Sequence, residues 1–201
     1  MSEPTPDASL EGALAFIREA ERLKSVTRFA WTSTGRREST AEHTWRLCLM
    51  AMVFEPRLAD IDLARLLKLC VIHDLGEAIH GDVPATEQDP DDDRSARERL
   101  DLQTLMTSLE PDQQAHFLAL WDEYEQAASP EARIAKGLDK LETIIQHNQG
   151  ANPADFDYAF NLDYGRHYTA GHPLLEALRA RIDDDTRLRM GPAPQQATGS
   201  D

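Results

Sequence analysis

A histidine and an aspartate stand side by side, His73-Asp74, directly after the most apolar run in the chain, Leu66-Leu67-Lys68-Leu69-Cys70-Val71-Ile72. An ionised carboxylate in such surroundings costs on the order of several kcal/mol unless a cation compensates it. A His-Asp dipeptide alone reads most simply as a polar pair at a helix turn. Two further residues shift that balance. His43 falls in the first turn after Ser39-Thr40-Ala41-Glu42, where serine and glutamate have the spacing of a capping box. Asp139 lies in Gly137-Leu138-Asp139-Lys140-Leu141-Glu142, within another amphipathic segment. Two imidazoles and two carboxylates from three helices form a nitrogen and oxygen donor set suited to Mn, Fe, Co or Zn, with positions left for water.

Helices have to position these groups, because the dominant hydrophobic period is helical and no strand alternation stands out. Helices are expected over 9–23, from Ser39 to just before Pro56, over 62–79, 95–109 and 113–127, from Ser129-Pro130-Glu131 through Ile145, and over 173–188. The segment 62–79 is apolar nearly all round, so it is expected to be the central helix, with His73-Asp74 in its middle. Residues 1–9 and 189–201 read as flexible tails, and Asp89–Asp93 as a solvated acidic loop. The expectation is an all-α protein, a single globular domain over 10–188 built as a bundle of six or seven helices.

Composition narrows the partners. Lys and Arg total 21 against 36 Asp and Glu, a net charge of −15, which speaks against a nucleic-acid polymer or an anionic membrane as partner. Hydrophobic residues make up 41%, enough for one sizeable core. With no visible signal peptide or membrane-spanning run, the expected location is cytoplasmic. Cys48 and Cys70 lie in apolar runs and are expected as buried thiols. Trp45, Trp121, Met50 and Met52 are expected in the core. His80 reads as a helix-end residue, and His116, His147, His167 and His172 as surface or structural.

In the order His43, His73-Asp74, Asp139, the chain resembles the HD-domain metal-dependent phosphohydrolases. The segments Glu42-His43-Thr44, His73-Asp74-Leu75-Gly76-Glu77 and Gly81-Asp82-Val83-Pro84 resemble the branch of the 5′-deoxynucleotidases and their eukaryotic HD-domain relatives, over about Leu10 to Leu178. That resemblance implies an HD helical bundle and one divalent ion (Mn, Co, Fe, Zn or Mg) on His43, His73, Asp74 and Asp139. It further implies release of phosphate from (deoxy)nucleoside 5′-monophosphates, and a homodimer. Arg28 matches the arginine that contacts the substrate phosphate in the family, and a guanidinium fork suits phosphate oxygens. In the bacterial members a tryptophan follows that arginine directly. Here the order is Arg28-Phe29-Ala30-Trp31, so Trp31 either stacks on the substrate or belongs to the core.

The chemistry agrees with the resemblance. A divalent ion acidifies bound water and polarises a phosphoryl oxygen. Glu77 follows His73 by four residues, on the same helix face, and Asp82 lies just past the helix end. One of them handles the proton of the water or of the leaving oxygen. Asp82 is assigned proton transfer here, and Glu77 the orientation of water and the metal shell. Two alternatives stay open: hydrolysis of another small phosphate ester or nucleotide, and a non-catalytic nucleotide-binding HD protein.

Overall fold

The computed structural model describes residues 6–84 and 93–191. Helix α1 (Pro6–Ala20) tightens into a 3₁₀ turn, and an antiparallel hairpin of β1 (Thr27–Trp31) and β2 (Arg37–Ser39) follows. Then come α2 (Thr40–Phe54), α3 (Leu63–Ile72), the one-turn α4 (Glu77–His80), α5 (Arg94–Leu105) and α6 (Pro111–Glu125). The chain continues through α7 (Pro130–Gln149), the short α8 (Arg166–Thr169) and α9 (Pro173–Met190). The architecture is all-α apart from the hairpin. Residues 1–5, 85–92 and 192–201, which hold parts of both expected tails and nearly all of the acidic loop, lie outside the described residues. Helix α1 begins before, and α9 ends beyond, the expected domain edges at 10 and 188.

Helix α7, not α3, is the central element. It packs against α2, α3, α6, α8, α9 and β1, and most of its side chains are buried. Its start is built as expected, with Pro130 in the first turn and the Ser129 hydroxyl accepting from the Ala132 amide at 3.0 Å. Small residues explain its position. A Cβ on Gly137 would stand 2.5 Å from Leu175 Cδ1 and 2.9 Å from the Tyr168 carbonyl oxygen, so neighbouring elements close onto bare backbone. Helix α3 buries Leu66, Leu69, Cys70 and Ile72 but exposes Arg65, Lys68 and Val71. Its composition suggested a fully buried rod, but one face meets solvent.

Helix α3 also stops at Ile72 rather than running on to 79. From there the backbone bonds tighten to i→i+3, with the Leu75 amide donating to Ile72 O at 3.0 Å and the Glu77 amide to Asp74 O at 3.0 Å. Gly76 permits this turn to dock. A Cβ there would lie 2.5 Å from the Glu98 carbonyl oxygen of α5. His73-Asp74 therefore sits at a helix end, not in mid-helix.

The hairpin was not expected. Thr27 pairs with Ser39 and Trp31 with Arg37, so four steps on β1 face two on β2, and the strand is irregular between those pairs. Gly35 closes the turn at φ 87°, a conformation that favours glycine. Ser39 ends β2 and caps α2 at once. Its hydroxyl accepts from the Glu42 amide at 3.3 Å, and its amide donates to Glu42 Oε2 at 2.9 Å, which is the expected capping box.

Met50 and Trp121 join the core as expected, whereas Trp45 is 66% exposed and Met52 is exposed beside Leu49 and Val53. These four recur at helical spacing along the outer face of α2. Cys70 is buried and Cys48 half-buried, both as free thiols. No helix among the described residues is long and apolar enough to cross a membrane.

Candidate metal centre

Three helices bring His43, His73, Asp74 and Asp139 together, from the first turn of α2, the end of α3 and the middle of α7. His43 Nε2 lies 3.1 Å from Asp139 Oδ1 and 3.7 Å from Asp74 Oδ2. His73 Nε2 lies 3.0 Å from Asp74 Oδ2 and 3.9 Å from Asp139 Oδ1. Both Nε2 atoms are buried, yet neither makes a hydrogen bond among the described residues. Two carboxylate oxygens and two orphaned ring nitrogens thus converge without bonding one another. Neighbouring donors held about 2.1 Å from one ion stand roughly 3.0–3.5 Å apart; the 3.0 and 3.1 Å separations fall in that range, and the 3.7 and 3.9 Å ones exceed it by a few tenths of an ångström. The residues fit a divalent ion.

Each donor is held from behind. The Nδ1 of His73 donates to the Cys70 carbonyl at 2.7 Å, and the Nδ1 of His43 donates to Glu142 Oε2. A donating Nδ1 leaves Nε2 with its lone pair free for a metal. Asp139 accepts from the Tyr124 hydroxyl at 2.8 Å and pairs with Lys140 Nζ at 2.9 Å. Burial opposes the Asp139 charge, but Lys140 and the two histidines outweigh it and hold the carboxyl well below its ordinary range. Burial likewise opposes Asp74, and His73 and His43 outweigh it. For His43, burial and Arg28 disfavour the imidazolium, while Glu142 and Asp139 prevail and raise it to about 9. A metal there competes with a proton.

His73, Asp74 and Asp139 line a cavity of about 460 Å³, in the range of small-ligand sites, while His43 is fully buried beneath them. Glu77 and Asp82 line it. Glu77 is buried and accepts from the Thr40 hydroxyl at 3.1 Å. Burial, with Asp74 and Asp82 nearby, pushes its carboxyl well up. Burial also raises Asp82, which stays half-exposed on the loop after Gly81. Arg28 reaches the same cavity, its Nη2 donating to the Thr143 hydroxyl at 2.9 Å.

Trp31 does not line the cavity, whereas Phe29 does, with Phe156 and Phe160. The Phe29 and Phe156 rings are near parallel, 6.2 Å apart at 15°. Trp31 packs edge-on against Phe29 and lies under the Arg37 guanidinium. The irregular pairing of β1 brings Arg28, Phe29 and Ala30 in succession to one cavity, where a regular strand would alternate. Arg36 stays exposed to solvent and pairs there with Glu42. His147 and His167, expected as surface or structural residues, both line the cavity, and His147 Nδ1 lies 2.8 Å from Asn161 Oδ1. His80 is tied to Asp101 at 2.6 Å.

Sequence reading missed Glu142, Tyr124, Phe29 and Phe156. Glu142 carried one faint signal, its place three residues after Asp139 on the same helix face. Its side chain is fully buried, and Arg46 Nε donates to Oε1 at 2.5 Å. Burial opposes its charge, and His43, Arg28 and Arg46 together keep it ionised below the usual range.

A family model described as HD domain matches residues 20–179. The chain belongs to the HD-domain family. Residues 20–179 hold every donor of the site and most of the core helices. The 5′-deoxynucleotidase HDDC2 of Homo sapiens is 33% identical over 138 residues, covering 68% of this chain and 67% of that protein. Its Bos taurus counterpart is 31% identical over 156 residues, covering 74% of this chain and 75% of that protein. Among solved structures, a predicted metal-dependent phosphohydrolase from Magnetospirillum magnetotacticum MS-1 superposes with a TM-score of 0.78 at 30% identity, covering 95% of this chain and 99% of that one. The HD resemblance expected from the ordered His and Asp residues holds.

Proposed function

We propose that the protein is a metal-dependent phosphohydrolase that releases phosphate from (deoxy)nucleoside 5′-monophosphates. The observation carrying this reading is the convergence, in one cavity, of His73, Asp74, Asp139, Arg28, Glu77 and Asp82 with an aromatic wall, with His43 against the two aspartates. His43, His73, Asp74 and Asp139 would hold one divalent ion, Mn, Co, Fe, Zn or Mg. When bound, that ion supplies acidified water and a Lewis acid for the phosphoryl oxygen.

The chain's own residues supply the rest. Arg28 binds phosphate oxygens, kept in place by Thr143. Glu77, anchored by Thr40, orients the water. Asp82, half-exposed on its loop, exchanges its proton with solvent and transfers it to the leaving 5′-oxygen. Phe29 and Phe156 offer ring faces to the nucleoside, one of the two parts left open for Trp31. The acidic surface repels a long polyanion while the metal and Arg28 draw in a small one.

We also read the protein as a cytoplasmic homodimer. The free thiols suit a reducing compartment. The exposed stripe of Trp45, Leu49, Met52 and Val53 on α2 is a self-association face.

The test is phosphate release from each deoxynucleoside and ribonucleoside 5′-monophosphate after reconstitution with Mn, Co, Fe, Mg or Zn in turn. Monophosphates releasing inorganic phosphate are expected. Turnover only of triphosphates or cyclic nucleotides would move the substrate, and tight binding without product under every metal would remove the catalysis.

A further inference from the structure

We propose that Glu142 is a positioning residue that sets the tautomer of His43 and thereby makes Nε2 available as a ligand. The inference rests on the metal site of the reading above, but not on its substrate.

A carboxylate only accepts hydrogen bonds, so the ring nitrogen touching it must carry the hydrogen. Glu142 Oε2 touches His43 Nδ1, so the neutral ring keeps its lone pair on Nε2, the atom facing Asp139 and Asp74. The arrangement has no slack. Both groups are fully buried, so no water replaces the contact. The other oxygen of Glu142 is taken by Arg46 Nε, and Arg28 Nη1 lies 3.8 Å from Oε2. Two guanidiniums therefore hold the carboxylate charged and fix its plane.

The isosteric amide Glu142→Gln would fail for a specific reason. Arg46 offers only donors, so it selects the amide oxygen and turns the NH₂ group toward His43. A donor facing Nδ1 makes that atom the acceptor and moves the ring hydrogen to Nε2. The volume hardly changes, but the ligand atom is blocked. By contrast, His73 takes its tautomer from the backbone of Cys70, which no side-chain substitution removes. Of the two imidazoles, only the one on α2 depends on another side chain.

The experiment titrates metal-free protein with Mn²⁺ by calorimetry and measures phosphate release alongside. Glu142→Gln is expected to weaken Mn²⁺ binding roughly ten- to hundredfold, with excess Mn²⁺ recovering much of the lost turnover. Arg46→Met, which breaks the same ion pair but leaves Oε2 on His43 and Arg28 beside it, should lower stability in denaturant unfolding yet weaken Mn²⁺ binding clearly less than Glu142→Gln does. Wild-type affinity in Glu142→Gln would overturn the proposal. So would equal losses in both variants, which would mark Glu142 as a packing salt bridge. If the amide variant fails to fold, Glu142→Asp must still weaken Mn²⁺ binding more than Arg46→Met does. If wild-type protein releases phosphate from no nucleotide, the substrate reading falls while the Mn²⁺ titration still decides the role of Glu142.

Discussion

Helices α3 and α7 each bring carboxylate and nitrogen groups to the same cavity, and they do it in opposite ways. Helix α3 delivers two consecutive residues, His73 and Asp74, from the point where it breaks. Helix α7 delivers Lys136, Asp139 and Thr143 from an unbroken interior, three and four residues apart, while Lys140 reaches round on its long side chain to pair with Asp139. Successive residues on an intact helix point about 100° apart, so an adjacent pair serves one site best where the helix ends. Residues three or four apart share a face without any break. The His-Asp doublet thus marks a helix terminus, and the spaced set marks a rigid rod.

The largest effects should come from removing one carboxylate on each side of this comparison. Asp74→Ala and Asp139→Ala are both expected to abolish metal content and turnover together, read by elemental analysis and phosphate release. They should differ in stability. Asp139 is 6% exposed, so its loss leaves the buried Tyr124 hydroxyl and the partly exposed Lys140 ammonium without their partner and should cost about 1–3 kcal/mol in denaturant unfolding. Asp74 is 20% exposed and should cost clearly less. Equal losses would erase the contrast between rod and terminus.

Next in size, Glu77→Ala and Asp82→Ala should keep bound metal yet lower kcat by roughly 10²–10⁴. Loss of metal in either would move that residue into the donor set. A smaller effect tests the break itself. Gly76→Ala pushes a methyl against the Glu98 backbone and should cost about 1–3 kcal/mol, with reduced turnover as His73-Asp74 shifts. Gly137→Ala on the rod should cost a similar amount with metal affinity better preserved, since the clash faces Leu175 and not the donors.

The smallest effect lies at the start of α2. The Arg36 hydrogen bond dominates the environment of Glu42, and with the Ser39 contacts it lowers the carboxyl from 4.5 to about 2. A depressed carboxylate stabilises the fold above its ordinary range, and that contribution fades as pH falls from about 4.5 toward 2. Glu42→Gln should therefore cost about 1 kcal/mol or less at pH 7 and nothing near pH 2, measured by urea unfolding at both values.

The donors were legible because each is a polar residue in an apolar setting, and such settings demand an explanation. The capping box before His43 was legible because its chemistry is local. The end of α3 was not, because the apolar run continues past it and the cause, contact of Gly76 with α5, is tertiary. The hairpin escaped because β1 is five residues long and irregular, so alternation never develops. Glu142 looks like any surface glutamate until His43 and Arg46 arrive from another helix. Trp45 was misplaced for the converse reason. Hydrophobicity shows that a side chain prefers cover, not that its own chain provides it.

The continuity of α7 also governs how the gene can change. A single-codon insertion or deletion between Pro130 and Asp139 would rotate the aspartate about 100° away from the cavity, whatever its effect on packing. The turn from Thr32 to Arg36 can gain a residue while Arg28 keeps its anchor on Thr143, because that anchor lies outside the turn. Length variation is therefore cheap at the hairpin tip and forbidden in the rod.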